Sequence, residues 1–175
     1  LAITRLTTLG WQEERPSLRE EATNGQLICL ASRSDKSGNL YIAFLMHKER
    51  KATVWLTRRL AVKENFTSPI ERGIWEPARP LTDFSVRHIS SCNIGWTSDL
   101  EPVFAWVGWT KKEWDGKEKL VYVQRTPGGW KQTVLEEPIM TANEIVKTMV
   151  EVNAQGIAHI VLGNPQNSSL RYFST

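Results

Sequence analysis

With 175 residues, of which 41% are hydrophobic and 23% charged, the chain has the make-up of one globular domain able to bury a core, and a disordered chain is excluded. No apolar run reaches the roughly 18 residues a membrane helix needs. The net charge of +3 comes from Lys and Arg interspersed with Glu and Asp, so no basic stripe marks a nucleic-acid partner.

In chain order, Leu1 to Trp11 reads as a strand that ends in a Gly-Trp turn. The chain opens at Leu1 without Met or a leader, so a processed chain or a piece of something longer is expected. Lys119 to Trp130 repeats the opening shape: with Gly10-Trp11 set on Gly129-Trp130, Leu1 falls on Leu120, Ile3 on Tyr122 and Thr7 on Thr126. A looser copy runs from Val54-Trp55-Leu56 to Trp75, and Ser169 to Phe173 begins the strand again.

Three further segments align without gaps: Gly38 to Phe44, Leu100 to Trp106 and Gly156 to Leu162. A repeat at this spacing means an array of supersecondary units. Each unit reads as four strands. The first strands are Gln26 to Ser32, Ser85 to Ile94 and Ile145 to Val152; the second are the aligned segments. The third are Thr53 to Arg58, Leu120 to Arg125 and Leu170 to Ser174; the fourth are Trp75 to Ala78 and Trp130 to Leu135. Helical periodicity is almost absent. Its best stretch, Glu136 to Val152, also reads as a bulged strand.

Four short antiparallel strands per unit of roughly 60 residues is the arithmetic of a β-propeller blade. The expected fold is therefore all-β and propeller-type, with about three blade-like repeats in one domain. Residues 20–79 and 84–136 form full blades; 1–16 and 143–175 form partial ones. The chain starts with third and fourth strands and stops after a third, which leaves open edges. Chain beyond these residues or a second copy should complete them, and two copies would give six blades.

Gly156-Ile-Ala-His159-Ile-Val-Leu162, Leu170-Arg-Tyr172 and Gly129-Trp130 resemble the blades of sialidase-like propellers and of six- and seven-bladed lectin propellers. Ser34-Asp35-Lys-Ser37-Gly38-Asn39-Leu40-Tyr41 has the composition of the sialidase Asp-box, with Ser and Asp adjacent and Tyr in place of Trp. The resemblance implies either a carbohydrate-binding module or part of a sialidase- or glycosidase-type enzyme. A structural or protein-binding scaffold is the third reading, because fold alone does not select among them.

Of the eight Trp, Trp11, Trp75 and Trp130 recur once per unit and are expected to fill wedges between blades. Trp106 aligns with Phe44 and Leu162 and is expected in the core. Trp109 and Trp114 have no counterparts and flank the charged turn Thr110 to Lys117. In a meander, the turns between second and third strands share one end with the links between blades. That end would gather Trp109, Trp114, His47 in the turn Met46 to Lys51, and Asn164 in the turn Gly163 to Ser168. Pro77 to Asp83 would lie there as well. Trp rings stack on sugar faces while amides and cations bond hydroxyls, so these four residues are the candidate ligand-binding set. Ligand stacking would make Trp114→Ala weaken binding while barely moving stability.

No His pair has metal spacing, no Cys-x-x-Cys occurs, and no cofactor motif is present, so no metal or cofactor is expected. An enzyme would need clustered Arg, and Arg72, Arg79, Arg87 and Arg125 show no convergence in sequence. His159, at the position of Tyr41 and Val103, is expected to be a hydrogen-bonded strand residue. Cys29 aligns with Ser91, one residue from Cys92, which points the two thiols to opposite faces and predicts no disulfide between them. Two glycosylation sequons, at Asn65 and Asn167, leave the compartment open, with an extracellular one compatible.

Overall fold

The structure, a computed structural model, describes residues 3–7, 10–16, 18, 24–61, 74–109, 118–136, 146–166 and 168–175, with only the backbone course for 3–7, 10–12 and 136. These residues form antiparallel strands and turns without helix. A two-stranded sheet pairs β1 (Ile3–Thr7) with β2 (Gly10–Glu14). The first large sheet contains β3 (Gln26–Ser34), β4 (Leu40–Lys48), β5 (Lys51–Leu60), β6 (Ile74–Trp75) and β7 (Arg79–Ser85). The second is a meander of β8 (His88–Trp96), β9 (Pro102–Trp109), β10 (Lys119–Thr126) and β11 (Gly129–Glu136). The third has three strands, β12 (Lys147–Val152), β13 (Ala158–Asn164) and β14 (Ser169–Ser174). The all-β expectation holds, and Lys147–Val152 is a strand; residues 137–145 lie outside the described ones. Among the described residues the sheets do not close into a ring.

The repeat is visible in the turns that join first and second strands. Asp35, Thr97 and Asn153 each donate a backbone N–H to the carbonyl four residues on, at 2.9 to 3.0 Å. Each also accepts on its own carbonyl from the N–H three residues on: Gly38, Leu100 and Gly156. Those three donor residues all have positive φ, between 61° and 81°, which Leu100 adopts without being glycine. The side chain at the turn's first position closes it. Asp35 Oδ1 accepts from Ser37 and Asn39, Thr97 Oγ1 from Glu101, and Asn153 Oδ1 from Gln155 and Ile157. The Asn39 amide, donating to Oδ2 at 2.7 Å, holds the Asp35 carboxyl below the usual carboxylate range. Ser34 to Tyr41 is thus a self-capped hairpin turn.

Each large sheet has two faces, set by strand alternation. The front carries Ile42 and Phe44, or their counterparts Phe104 and Trp106, or Ile160 and Leu162. The back carries Ala43 and Leu45, or Ala105 and Val107, or Val161 and Gly163. One core cluster sets the back of the first sheet (Ala43, Leu45, Ala52, Val54) against the front of the second (Phe104, Trp106, Val121, Val123). Another sets the back of the second (Ala105, Val107, Tyr122) against the front of the third (Val150, Ile160, Leu162). The stacking is therefore front-to-back in one sense. It explains the near-continuous apolar run of β9, which is buried on both faces.

Cys29 and Cys92 form a disulfide, with Cα atoms 5.9 Å apart, contrary to the expectation from the sequence. The alignment of Cys29 with Ser91 is correct: Cys29 pairs with Leu45, and Ser91 with Val107, at the same register. The thiols do project from opposite faces of the repeat. In front-to-back stacking those are the two faces that meet. The next junction uses the same positions, where Ser91 Oγ lies 2.9 Å from Thr148 Oγ1 and accepts the Thr148 N–H at 3.0 Å. One step along, Asn93 Oδ1 accepts from Val150 N at 3.3 Å.

Two strand assignments need correction. The fourth strand of the first sheet is not Trp75 to Ala78. β6 pairs only at Arg59 and Leu60, while β7 pairs from Lys51 to Leu56, so most of Pro77 to Asp83 belongs to a strand. Pro77 has no N–H for the ladder and separates the two pieces, and Pro80 sits at the bulge opposite Trp55. The first strand of the second sheet spans His88–Trp96, after Val86 and Arg87 have turned the chain between sheets. Trp130 packs against the cluster between the first and second sheets, as the repeat implies, whereas Trp75 packs against Ile42, Phe44 and Trp55 on the front of the first sheet; the Trp11 side chain lies outside the described ones.

Tyr122 is fully buried between the second and third sheets, and that burial pushes its phenol up to about 12. Its ionisation should appear as a late step in an alkaline titration followed by phenolate absorbance, and Tyr122→Phe should delete that step. The unfolded chain loses this proton first, at about pH 10. Stability should therefore be complete below that pH and fall as pH rises towards about 12.

Candidate binding surface

The hairpin ends of the first two sheets and the link between those sheets meet at one end of the stack. Val86 N donates to Arg50 O at 3.1 Å, and Arg87 N donates to Trp109 O at 2.9 Å. His47 Nε2 lies 3.1 Å from Val86 O. A carbonyl only accepts, so His47 carries its proton on Nε2. His47 is therefore a half-buried residue of β4 that ties hairpin to link, and not the exposed turn residue expected from sequence. Trp109 ends β9 at the register position of His47, and its ring lies against His88, with centroids 4.4 Å apart.

Asn164 ends β13 rather than standing in the turn, and its Oδ1 accepts from Gln166 N at 2.9 Å. Trp114 and the charged turn 110–117 lie outside the described residues. The structure thus brings His47 and Trp109 to one link and leaves Asn164 at the third sheet's hairpin.

A cleft of about 640 Å³ opens on the front of the first sheet at this same end. Met46 and Trp55 form its apolar wall; Asn24, Lys48 and the Lys51–Asp83 ion pair supply polar groups. Register explains the grouping: Met46 faces Thr53, Thr53 faces Asp83 and Lys51 faces Lys48, all on the front. Trp55 is buried, and its indole N–H has no acceptor among the described residues. The same is true of Trp96 and Trp106, but those two lie within the apolar cluster between sheets, whereas Trp55 lines the cleft. Sequence reasoning placed Trp55 only as a third-strand residue. Its membership of a cleft depends on what fails to cover it, which strand periodicity does not encode.

His159 is the hydrogen-bonded strand residue expected. Asn153 turns its Oδ1 to backbone N–H groups, so its Nδ2 donates to His159 Nε2 at 3.1 Å. Nδ1 then carries the proton and donates to Tyr172 Oη at 2.6 Å. Among the described residues Arg79, Arg87 and Arg125 have separate neighbours. Arg125 pairs with Glu101 and Arg87 holds Trp109 through its backbone. Arg79 lines a small hollow of about 160 Å³ with Tyr41, Arg58 and Glu76. There Arg58 is ion-paired to Glu76 and lies 5.8 Å from the Tyr41 ring centre. Arg72 lies outside the described residues. Among the described residues no group of three His, Cys, Asp or Glu could hold a metal ion. No protein-family model matches the chain, and comparison with curated proteins and with solved structures finds no match.

Proposed function

We propose that the chain is a non-catalytic binding module of propeller-type architecture whose ligand is a carbohydrate or glycoconjugate. The architectural part draws support from blade-like units that stack front-to-back in one sense and repeat the same turn chemistry. The ligand part is carried by one observation: an open cleft in which a buried Trp whose N–H has no acceptor among the described residues stands beside Met46, Asn24, Lys48 and the Lys51–Asp83 pair. A sugar presents apolar C–H faces and hydroxyls that both donate and accept. The Trp55 N–H needs an acceptor, the Asp83 carboxylate accepts and the Lys48 ammonium donates.

A glycan array on the purified chain tests this reading. Trp55→Phe keeps the packing and removes the N–H, and should weaken binding of the selected glycan roughly tenfold, the value of about one buried hydrogen bond. Lys48→Ala, at an exposed position, should weaken it without lowering the melting temperature. Folded protein that binds no glycan, or binding indifferent to both substitutions, rejects the cleft as a carbohydrate site.

A further inference from the structure

The hollow between Tyr41, Arg58, Glu76 and Arg79 opens beside a junction inside the stack. Tyr41 and Leu56, which line it, pack against the core cluster between the first and second sheets. It lies on the back of the first sheet, and the cleft lies on the front. Leu56 and Arg79 line the hollow, while their chain neighbours Trp55 and Pro80 line the cleft. Strand alternation keeps the two apart. Backbone bonds fix the frame of the hollow. Glu76 N donates to Arg58 O at 2.8 Å, and Thr57 Oγ1 donates to Glu76 O at 2.7 Å. The volume of about 160 Å³ is several times the ~30 Å³ of one water and well short of the roughly 300 Å³ at which small-molecule pockets begin. It suits one ionic group.

The wall holds more donors than acceptors. The Glu76 carboxylate is engaged by Arg58. Arg58 Nε is buried and has no acceptor among the described residues. The Arg79 side chain has no hydrogen-bond or ion-pair partner among them. Arg33 lies in the same row across the strands as Tyr41 and Arg58, and its Nη1 donates to the Trp96 carbonyl at 3.4 Å, which cancels no charge. Asp35, the carboxylate nearest that row, is committed to its own turn and to Tyr41 Oη. Arg79 is exposed and Glu76 partly so, and their side chains can part to admit an ion to Arg58 Nε.

We infer that this hollow is an anion subsite that takes one tetrahedral oxyanion, a phosphate or sulfate group, on Arg79 and Arg58. A carboxylate's two oxygens fill a single guanidinium fork. A tetrahedral group meets the Arg79 fork with two oxygens and keeps another for Arg58 Nε. The subsite goes beyond the carbohydrate reading and does not depend on it.

Titration of the whole chain with inorganic phosphate at constant ionic strength, followed on the arginine Nε–H magnetic resonance signals, tests this. Arg58 and Arg79 should move together on one saturable curve, while Arg125, already paired with Glu101, stays in place. Inorganic sulfate should move the same two signals. Arg79→Gln should weaken phosphate binding about tenfold, the loss of a charge-assisted hydrogen bond. Glu76→Gln removes the competing carboxylate and should tighten it. Lys147→Gln, which deletes the same charge at an exposed position of the third sheet, should leave it unchanged, as should Lys48→Ala in the cleft. Methyl phosphate that binds as well as the inorganic ion assigns the subsite to an esterified group, and binding of the inorganic ion alone assigns it to a free one; either upholds it. Shifts that never saturate, equal losses for Arg79→Gln and Lys147→Gln, or acetate binding as tightly as phosphate overturn the inference. Glycan binding without a phosphate site rejects the subsite and keeps the cleft, and a phosphate site without glycan binding does the reverse.

Discussion

Replacing Cys29 and Cys92 together by alanine is expected to lower stability by about 4 kcal/mol, the largest effect of any change at an inter-sheet junction. The bond joins residues 63 apart, and the loop-closure entropy it removes from the unfolded chain is about 4 kcal/mol. That is a large share of the roughly 5–15 kcal/mol that holds a domain folded. For a chain of this size it should lower the melting temperature by about 10 °C. The second junction supplies an internal control. Ser91 and Thr148 occupy the same two positions and are joined by hydrogen bonds instead. The Cys29→Ser, Cys92→Thr variant copies that pair and should recover about 1 kcal/mol relative to the double alanine variant. Urea unfolding of the oxidised, reduced and substituted proteins measures all three. A midpoint that reduction leaves unchanged would show that this junction carries no covalent link.

Gly108→Ala is expected to cost about 3 kcal/mol, although it adds a single methyl group. A Cβ at Gly108 would lie 2.0 Å from the His88 carbonyl oxygen and 3.1 Å from Ile89 Cα. Both obstacles are backbone, so no rotamer relieves the clash; β8 or β9 must move. The site is also constrained from other sides. β8 is bulged between Ile89 and Ser91, and the Ser90 hydroxyl is held to Val107 O at 3.1 Å. Gly163→Ala is the matched control, since its Cβ meets only the flexible Leu170 side chain at 3.4 Å. It should change stability by under about 1 kcal/mol. Equal costs for the two alanines, measured by denaturant unfolding with Trp fluorescence, would overturn the account of Gly108.

The candidate site was legible in proportion to how local its causes are. Met46 to Lys51 could be assigned to one end of the fold because a meander alternates its turns, and Met46, Lys48 and Lys51 line the cleft. His47 sits in the same stretch, yet its role depends on the Val86 carbonyl of another sheet, and nothing in its neighbours announces that. Trp55 reads as an ordinary strand residue, since its distinction is an indole N–H that has no acceptor among the described residues.

What the sequence by itself determined is the repeat. Strand alternation, turn residues and hairpin register act between residues a few positions apart, so Asp35, Thr97 and Asn153 mark equivalent turns and the aligned second strands follow. What only the tertiary structure decided is which face meets which. Alternation assigned Cys29 and Cys92 to opposite faces correctly, but only the front-to-back order of the sheets turns opposite faces into contact. Gly108 shows the same divide. Its position in the other units holds Met46 and Asn164, so the repeat permits any side chain there. The prohibition comes from the close pass of the His88 carbonyl on the neighbouring strand, a distance fixed by a bulge and by packing rather than by periodicity.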